Sequence, residues 1–277
     1  MTTWYVRSPD GSISIPTLKM TNDTTITGGQ RRYYISRDES NVLYRTANGI
    51  SFEPTSRTIN LYSTNTTAEI QAKIDSVGKF IPYGVIITFY FNDGTYTLTY
   101  TLSFNGFHGP GQITIKSSGT ETALNTAQPV TINVAENQSG LAFAGCYCKV
   151  KIYNLKIYLN PQHYGITASE YSVLEVYYCY IYGSSAGNGA AIFMFSESFA
   201  YVRSTYFSNI TYAMAAHQSR IRSSGNDDTG TQPAYAYRAY GGSLIQIDNI
   251  SLVGSTATYL ADSGGLIVTV AGDVLPP

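Results

Sequence analysis

Between Gly140 and Val253 the chain alternates apolar and polar residues in short runs, and the runs recur. Val150 and Ile152, Leu174 and Val176, Ala200 and Val202, and Ile245 and Ile247 follow one another at steps of 24, 26 and 45 residues. The last step is about twice the period of the others, so one turn of the pattern is missing between Val202 and Ile245. Each run is followed by a single small or polar residue: Asn154, Tyr178, Ser204 and Asn249. A second pair comes next: Leu155 and Ile157, Cys179 and Ile181, Thr205 and Phe207, Ile250 and Leu252. An earlier run places Ala144, Ala168, Met194 and Ala239 in one column. A repeat of this length marks stacked units, none of which can bury its apolar face alone.

Alternation within each run is the period of a strand. Two or three runs share each period, with too few residues between them for a helix. The pattern predicts a chain that coils and stacks on itself, a parallel β-helix with aliphatic ladders inside. The outward columns are Lys151, Glu175, Tyr201 and Gln246, and Tyr153, Tyr177, Arg203 and Asp248. An antiparallel sandwich also has evenly spaced strands. It has no reason to keep the same inward columns.

The first 62 residues lie outside the repeat. Trp4–Arg7, Ser8–Gly11 and Gly28–Ser36 read as short strands joined by turns, and Tyr44–Ile50 carries a turn signal at Asn48–Gly49. This predicts a small N-terminal β module over 1–62. Residues 63–80 predict the one helix. Asn65, Thr66 or Thr67 caps it, Ile70, Ile74 and Val77 form its apolar stripe, and Gly78 ends it. A solenoid needs its first coil covered, so this helix is expected as the N-terminal cap of a β-helix running over 81–277. Between His217 and Pro233 the ladder has no apolar pair, and a polar excursion is expected there.

Composition narrows the function. Charged residues are 13% of the chain, about half the usual share, and the formal net charge is −1. No basic stripe exists to neutralise phosphates, so nucleic acid is not an expected partner. No window has the apolar length of a membrane helix. Met1–Arg7 lacks the basic start and apolar run of a signal peptide, so synthesis without export is expected. Cys146, Cys148 and Cys179 are too few for a disulfide framework or a metal set and are expected as buried free thiols. The sequence calls for no cofactor and no metal. Twenty-five tyrosines are the notable excess. Tyr153 with Tyr177, Tyr180 with Tyr206, and Tyr158 with Tyr182 form outward columns, suited to sugars or to another subunit.

An amphipathic helix is followed by Val85–Phe91, an Asn92-Asp-Gly turn, Thr95–Leu98, a glycine-rich Asn105–Gly111 and Gln112–Ile115. This order resembles the opening of pectate-lyase-like right-handed parallel β-helices, especially those of bacteriophage tail spikes and tail fibres. The resemblance covers about residues 64–255 and rests on turns and ladders. It implies a phage or prophage tail appendage, a component of the virion. Such a protein would be a homotrimer, contact bacterial surface polysaccharide, and join other tail proteins through its N-terminus. The alternative it implies is a polysaccharide lyase or glycoside hydrolase on the same scaffold. Hydrolysis would use two carboxylates about 5–10 Å apart; a lyase would use a base and a cation. Glu170 aligns with Ser196, beside Glu197, and His217, Arg220 and Arg222 follow one turn on. Those five are the candidate catalytic residues. Tyr153, Tyr177, Tyr180, Tyr206, Asp227 and Asp228 are the candidate carbohydrate-binding or interface residues. The same residues also suit a solvated turn edge. His108, in the glycine-rich turn, is expected to be a turn histidine.

Overall fold

Apolar alternation closes the chain into three parallel sheets. The structure is a computed structural model. It describes Glu53, residues 55–119, 128–160, 163–184, 189–228, 231–248, 251–269 and 274–275, and the backbone of two earlier strands. The first sheet holds Arg57–Leu61, Ile86–Phe91, Gln112–Ser117, Lys149–Tyr153, Val173–Tyr177, Phe199–Arg203, Arg220–Ser224, Leu244–Ile247 and Leu266–Thr269. The second holds Gly94–Leu98, Val130–Val134, Lys156–Leu159, Tyr180–Gly183, Tyr206–Ser208 and Asp227–Asp228. The third holds Leu102–Asn105, Leu141–Ala144, Ile166–Ser169, Ala190–Phe195, Tyr212–His217, Tyr235–Tyr240 and Ala257–Ala261. The chain visits the sheets in turn, and each strand pairs in parallel with its counterpart one coil away. This is an all-β parallel solenoid.

Register confirms the principal ladders. Val150 pairs with Leu174 and Leu174 with Ala200; Ile152 pairs with Val176 and Val176 with Val202. All six are fully buried. Burying one such aliphatic side chain contributes about 1.5–3 kcal/mol, so repetition of the column supplies the cohesion that a single coil lacks. In the third sheet two inward columns trade volume. Leu102 sits with Phe104 at one end, Met214 with Ala216 further on, and Tyr237 with Ala239 beyond that. Between the two ends the bulk passes from the Phe104 column to the Tyr237 column, which keeps the interior filled.

Three expectations are corrected. The partner of Ala168 is Phe143; Ala144 lies one residue off and pairs with Ser169. Both are small or apolar enough to fit the sequence pattern, and only the pairing register separates them. The missing turn is not an excursion: Arg220–Ser224 is a strand of the first sheet, with Ile221 over Ala200 and Ser223 over Val202. Ser223 is fully buried, and Asn226 Nδ2 donates to its hydroxyl at 2.8 Å. A hydroxyl takes an aliphatic place because its hydrogen bonds are met inside. Asp227 and Asp228 likewise form a strand, paired with Tyr206 and Phe207, and not a loop.

Helix α1 spans Thr67–Asp75 and starts in a capping box: Thr66 accepts from the Glu69 N–H and Glu69 accepts from the Thr66 N–H. Its buried Ile70 and Ile74, with Val77, face the core. Gln71 lies against the outermost strand of the third sheet. Its side-chain amide donates to Ser103 O at 2.9 Å and accepts from Ser103 N at 2.9 Å, as a neighbouring strand would. The first sheet begins at Arg57–Leu61, inside the stretch read as the N-terminal module. Tyr33–Arg37 and Leu43–Ala47 pair antiparallel as a hairpin; Trp4–Arg7, Ser8–Gly11 and Asn48–Gly49 lie outside the described residues.

Glycine turns have steric causes. Gly109 has φ +106°, and a Cβ there would lie 2.4 Å from the Ile81 carbonyl oxygen. His108 Nδ1 bonds the Gly106 carbonyl at 2.9 Å, and its ring meets Phe80 edge-on. Cys146, Cys148 and Cys179 are buried free thiols. Among the described residues no helix is long and apolar enough to cross a membrane.

Candidate functional site

Left-handed backbone recurs at the corners of the coil, most regularly at two of them. Where the first sheet turns into the second, Asn154, Tyr178 and Ser204 have φ of 55°, 52° and 48°. These are the single residues that punctuate the sequence repeat. Where the third sheet turns back into the first, several coils place two adjacent residues at positive φ. These pairs are Glu170–Tyr171, Ser196–Glu197, Gly241–Gly242 and Ser263–Gly264. Glycine adopts this conformation freely, and other residues do so at a cost of roughly 1–2 kcal/mol each. Two coils therefore hold glutamate, serine and tyrosine where a third uses glycine.

A stack of buried serines fixes this corner from beneath. The Cys146 N–H donates to Ser172 Oγ at 3.0 Å, Ser172 N–H to Ser198 Oγ at 3.2 Å, and Ser198 N–H to Ser219 Oγ at 3.2 Å. Above the stack lies an open hollow of about 680 Å³, lined by Glu197, Ser198, Phe199, Gln218, Ser219, Arg220, Gly241 and Gly242. Along the same corner Tyr147, Tyr171 and Phe199 are 60%, 54% and 37% exposed. The neighbouring Glu197 carboxylate, which favours the protonated phenol as a hydrogen-bond acceptor and then through its negative charge, holds Tyr171 above its usual range.

On the outer face of the third sheet, next to the hollow, half-buried rings gather. Phe195, His217 and Tyr240 share a column, and the His217 and Tyr240 rings stack with centroids 4.8 Å apart. Phe193 packs with Tyr164 at 4.8 Å and with Phe195 at 5.4 Å. The Arg238 guanidinium lies over Tyr240 at 4.6 Å and Tyr212 at 5.0 Å, and pairs with Asp262. Gly241 makes room for His217: a Cβ there would fall 2.4 Å from His217 Cδ2.

The five candidate catalytic residues separate. Glu197 and Arg220 line the hollow. Glu170 sits one coil earlier, with its carboxylate over Gly145, and is not part of that lining. His217 is stacked on Tyr240 at the rim. Arg222 is committed elsewhere, with its Nη2 2.9 Å from Asp248 and its guanidinium over the Tyr201 ring. Arg220 and Arg222 share a strand and a side of the sheet, but two residues of extended chain part their heads by about 7 Å.

The tyrosine columns divide too. Tyr153 and Tyr177 stack at 5.2 Å and 15° on the outer face of the first sheet, as expected, and the Tyr177 hydroxyl donates to Glu175. Glu175 also pairs with Lys149 and, at 3.9 Å, with Lys151. Tyr180 and Tyr206 are in register but only 9% and 6% exposed, so the open patch expected of them is absent. Asp227 continues their column, whereas Asp228 continues the inward column of Phe207. Burial, then the charge of Asp227, pushes the Asp228 carboxyl up.

Tyr147, Tyr171, Phe199, Phe193 and Tyr240 were not singled out by the sequence. Their signal was faint: an aromatic at a strand end or in an outward place looks like any other outward residue until the corner is built. Among the described residues no group of three or more histidines, cysteines and carboxylates could hold a metal. No protein-family model matches the chain, and no curated protein matches it. The class therefore rests on the fold itself, a parallel β-solenoid with an aromatic corner.

Proposed function

We propose that this protein is a phage or prophage tail appendage whose solenoid grips bacterial surface polysaccharide along the corner between its third and first sheets. The observation that carries the reading is the row of exposed Tyr147, Tyr171 and Phe199 leading into the hollow at Glu197 and Arg220. Aromatic faces stack on the apolar faces of sugar rings, and flanking polar groups meet the hydroxyls. A stack of rigid turns repeats such contacts at about 4.8 Å intervals, which suits a repeating ligand. The αL conformations of Glu170, Tyr171, Ser196 and Glu197 add support, since strain of this kind gathers at functional sites. Low charge and the resemblance to tail-spike β-helices favour the appendage over other glycan-binding proteins. That reading also carries a homotrimer and an N-terminal attachment to other tail proteins.

The test is binding of purified lipopolysaccharide and capsular oligosaccharides to the full chain, with light scattering for the trimer. Tyr147→Ala and Tyr171→Ala should each weaken binding, and Tyr153→Ala should not. Equal loss in all three, or none in any, removes the corner as the site. Depolymerase activity is the second reading, kept because Glu170 and Glu197 stand on successive coils of one corner. It requires new reducing ends or unsaturated sugar products, lost on Glu197→Gln.

A further inference from the structure

The charges of the hollow narrow the kind of sugar it fits, taking the glycan-contact reading as given. Glu197 and Arg220 line it from successive coils, yet they are not an ion pair. The other arginines of this region are neutralised: Arg222 by Asp248 and Arg238 by Asp262. The remaining lining of Ser198, Phe199, Gln218, Ser219, Gly241 and Gly242 carries no charge. The hollow thus offers one carboxylate and one guanidinium, held apart, with no net formal charge. A guanidinium only donates hydrogen bonds and a carboxylate only accepts them.

A sugar hydroxyl does both, so a ring with several hydroxyls can satisfy the two groups together. A uronate or phosphate would gain Arg220 and meet Glu197 as a like charge, which costs affinity. Phe199 supplies an apolar wall, and the stacked His217 and Tyr240 lie next to the hollow, beside its lining residue Gly241. We propose that the hollow is a subsite for one uncharged hexose unit of the polysaccharide, its hydroxyls spanning Glu197 and Arg220.

The experiment measures binding of a panel of bacterial oligosaccharides, half of them neutral and half bearing uronate or phosphate. It uses the full chain at low and high salt, with thermal unfolding to confirm that each variant is folded. Neutral members should bind, with affinity changing less than about twofold with salt, because no net charge is screened. Arg220→Gln and Glu197→Gln should each weaken that binding by about tenfold. Preference for the acidic members, with tightening on Glu197→Gln, would overturn the subsite and leave the corner as a glycan site. So would neutral binding that neither variant alters. If no member of either class binds, the glycan-contact reading fails, and the subsite with it.

Discussion

Inside the solenoid the hydroxyls of Ser223 and Tyr237 meet at 3.0 Å, across 14 residues of chain and from two different sheets. Both side chains are fully buried. Asn226 completes the group: its Nδ2 donates to Ser223 Oγ and to Val202 O, and its Oδ1 accepts from Thr205 N. Ser223→Ala should destabilise the protein by about 1–3 kcal/mol, because it leaves buried polar partners unmet. Tyr237→Phe, which removes only the outer member, should cost less. Urea unfolding of the two single variants and the double variant measures the coupling. Simple additivity would show that the hydroxyls do not act together.

Val176 is fully buried and Tyr177 stands outside. Val176→Asp puts a charge into the ladder and should cost several kcal/mol, enough to threaten folding. Tyr177→Ala loses the stack on Tyr153 and should cost about 1 kcal/mol. The reverse order in thermal unfolding would mean that the inward register is wrong.

Gln71 tests how the open edge is closed. Its amide meets both backbone groups of Ser103. Gln71→Ala should cost about 1–3 kcal/mol and speed hydrogen exchange at the Ser103 amide by more than at Phe143, one strand further in. Equal acceleration at the two amides would show that the helix does not protect the edge through this side chain.

Alkaline pH should unfold the protein early. Burial raises the thiol of Cys146 to about 11 and those of Cys148 and Cys179 to about 12, and it raises the Tyr96 phenol to about 12. In an unfolded chain these groups ionise near their ordinary values, about 8.5 for cysteine and about 10 for tyrosine. The folded state holds the protons more tightly, so their contribution is fully present below about pH 8.5. It is lost as pH climbs toward 11–12. Urea midpoints measured across this window should fall steadily; a flat profile would contradict the burial of the thiols.

The corner at Ser196–Glu197 predicts a stability gain. Ser196→Gly should stabilise by up to about 1 kcal/mol, since φ of 53° suits glycine. Gly241→Ala should destabilise, because its Cβ would meet the His217 ring. The His217 imidazole resonances should shift at the same time. Unchanged resonances would show that the ring does not rest on this glycine.

By itself the sequence determined the class of fold, the inward ladders through Val150, Leu174 and Ala200, a helix within residues 63–80 and the punctuating residues at Asn154, Tyr178 and Ser204. Each is a local signal: strand alternation, a cap residue before an apolar helical stripe, or a recurring corner, written in neighbouring residues. The tertiary structure decided what depends on pairing across coils. It set Phe143 against Ala168, which a one-residue ambiguity had hidden. It turned Arg220–Ser224 into a strand, because Tyr237 and Asn226 satisfy a serine that reads as a break. It sent Arg220 to the hollow and Arg222 to Asp248, and it closed over Tyr180 and Tyr206 while leaving Tyr147 and Tyr171 open. Hydrophobic periodicity states which side of a strand faces the core. Which outward residues meet one another, and which meet solvent, is fixed only when separate turns are stacked in register.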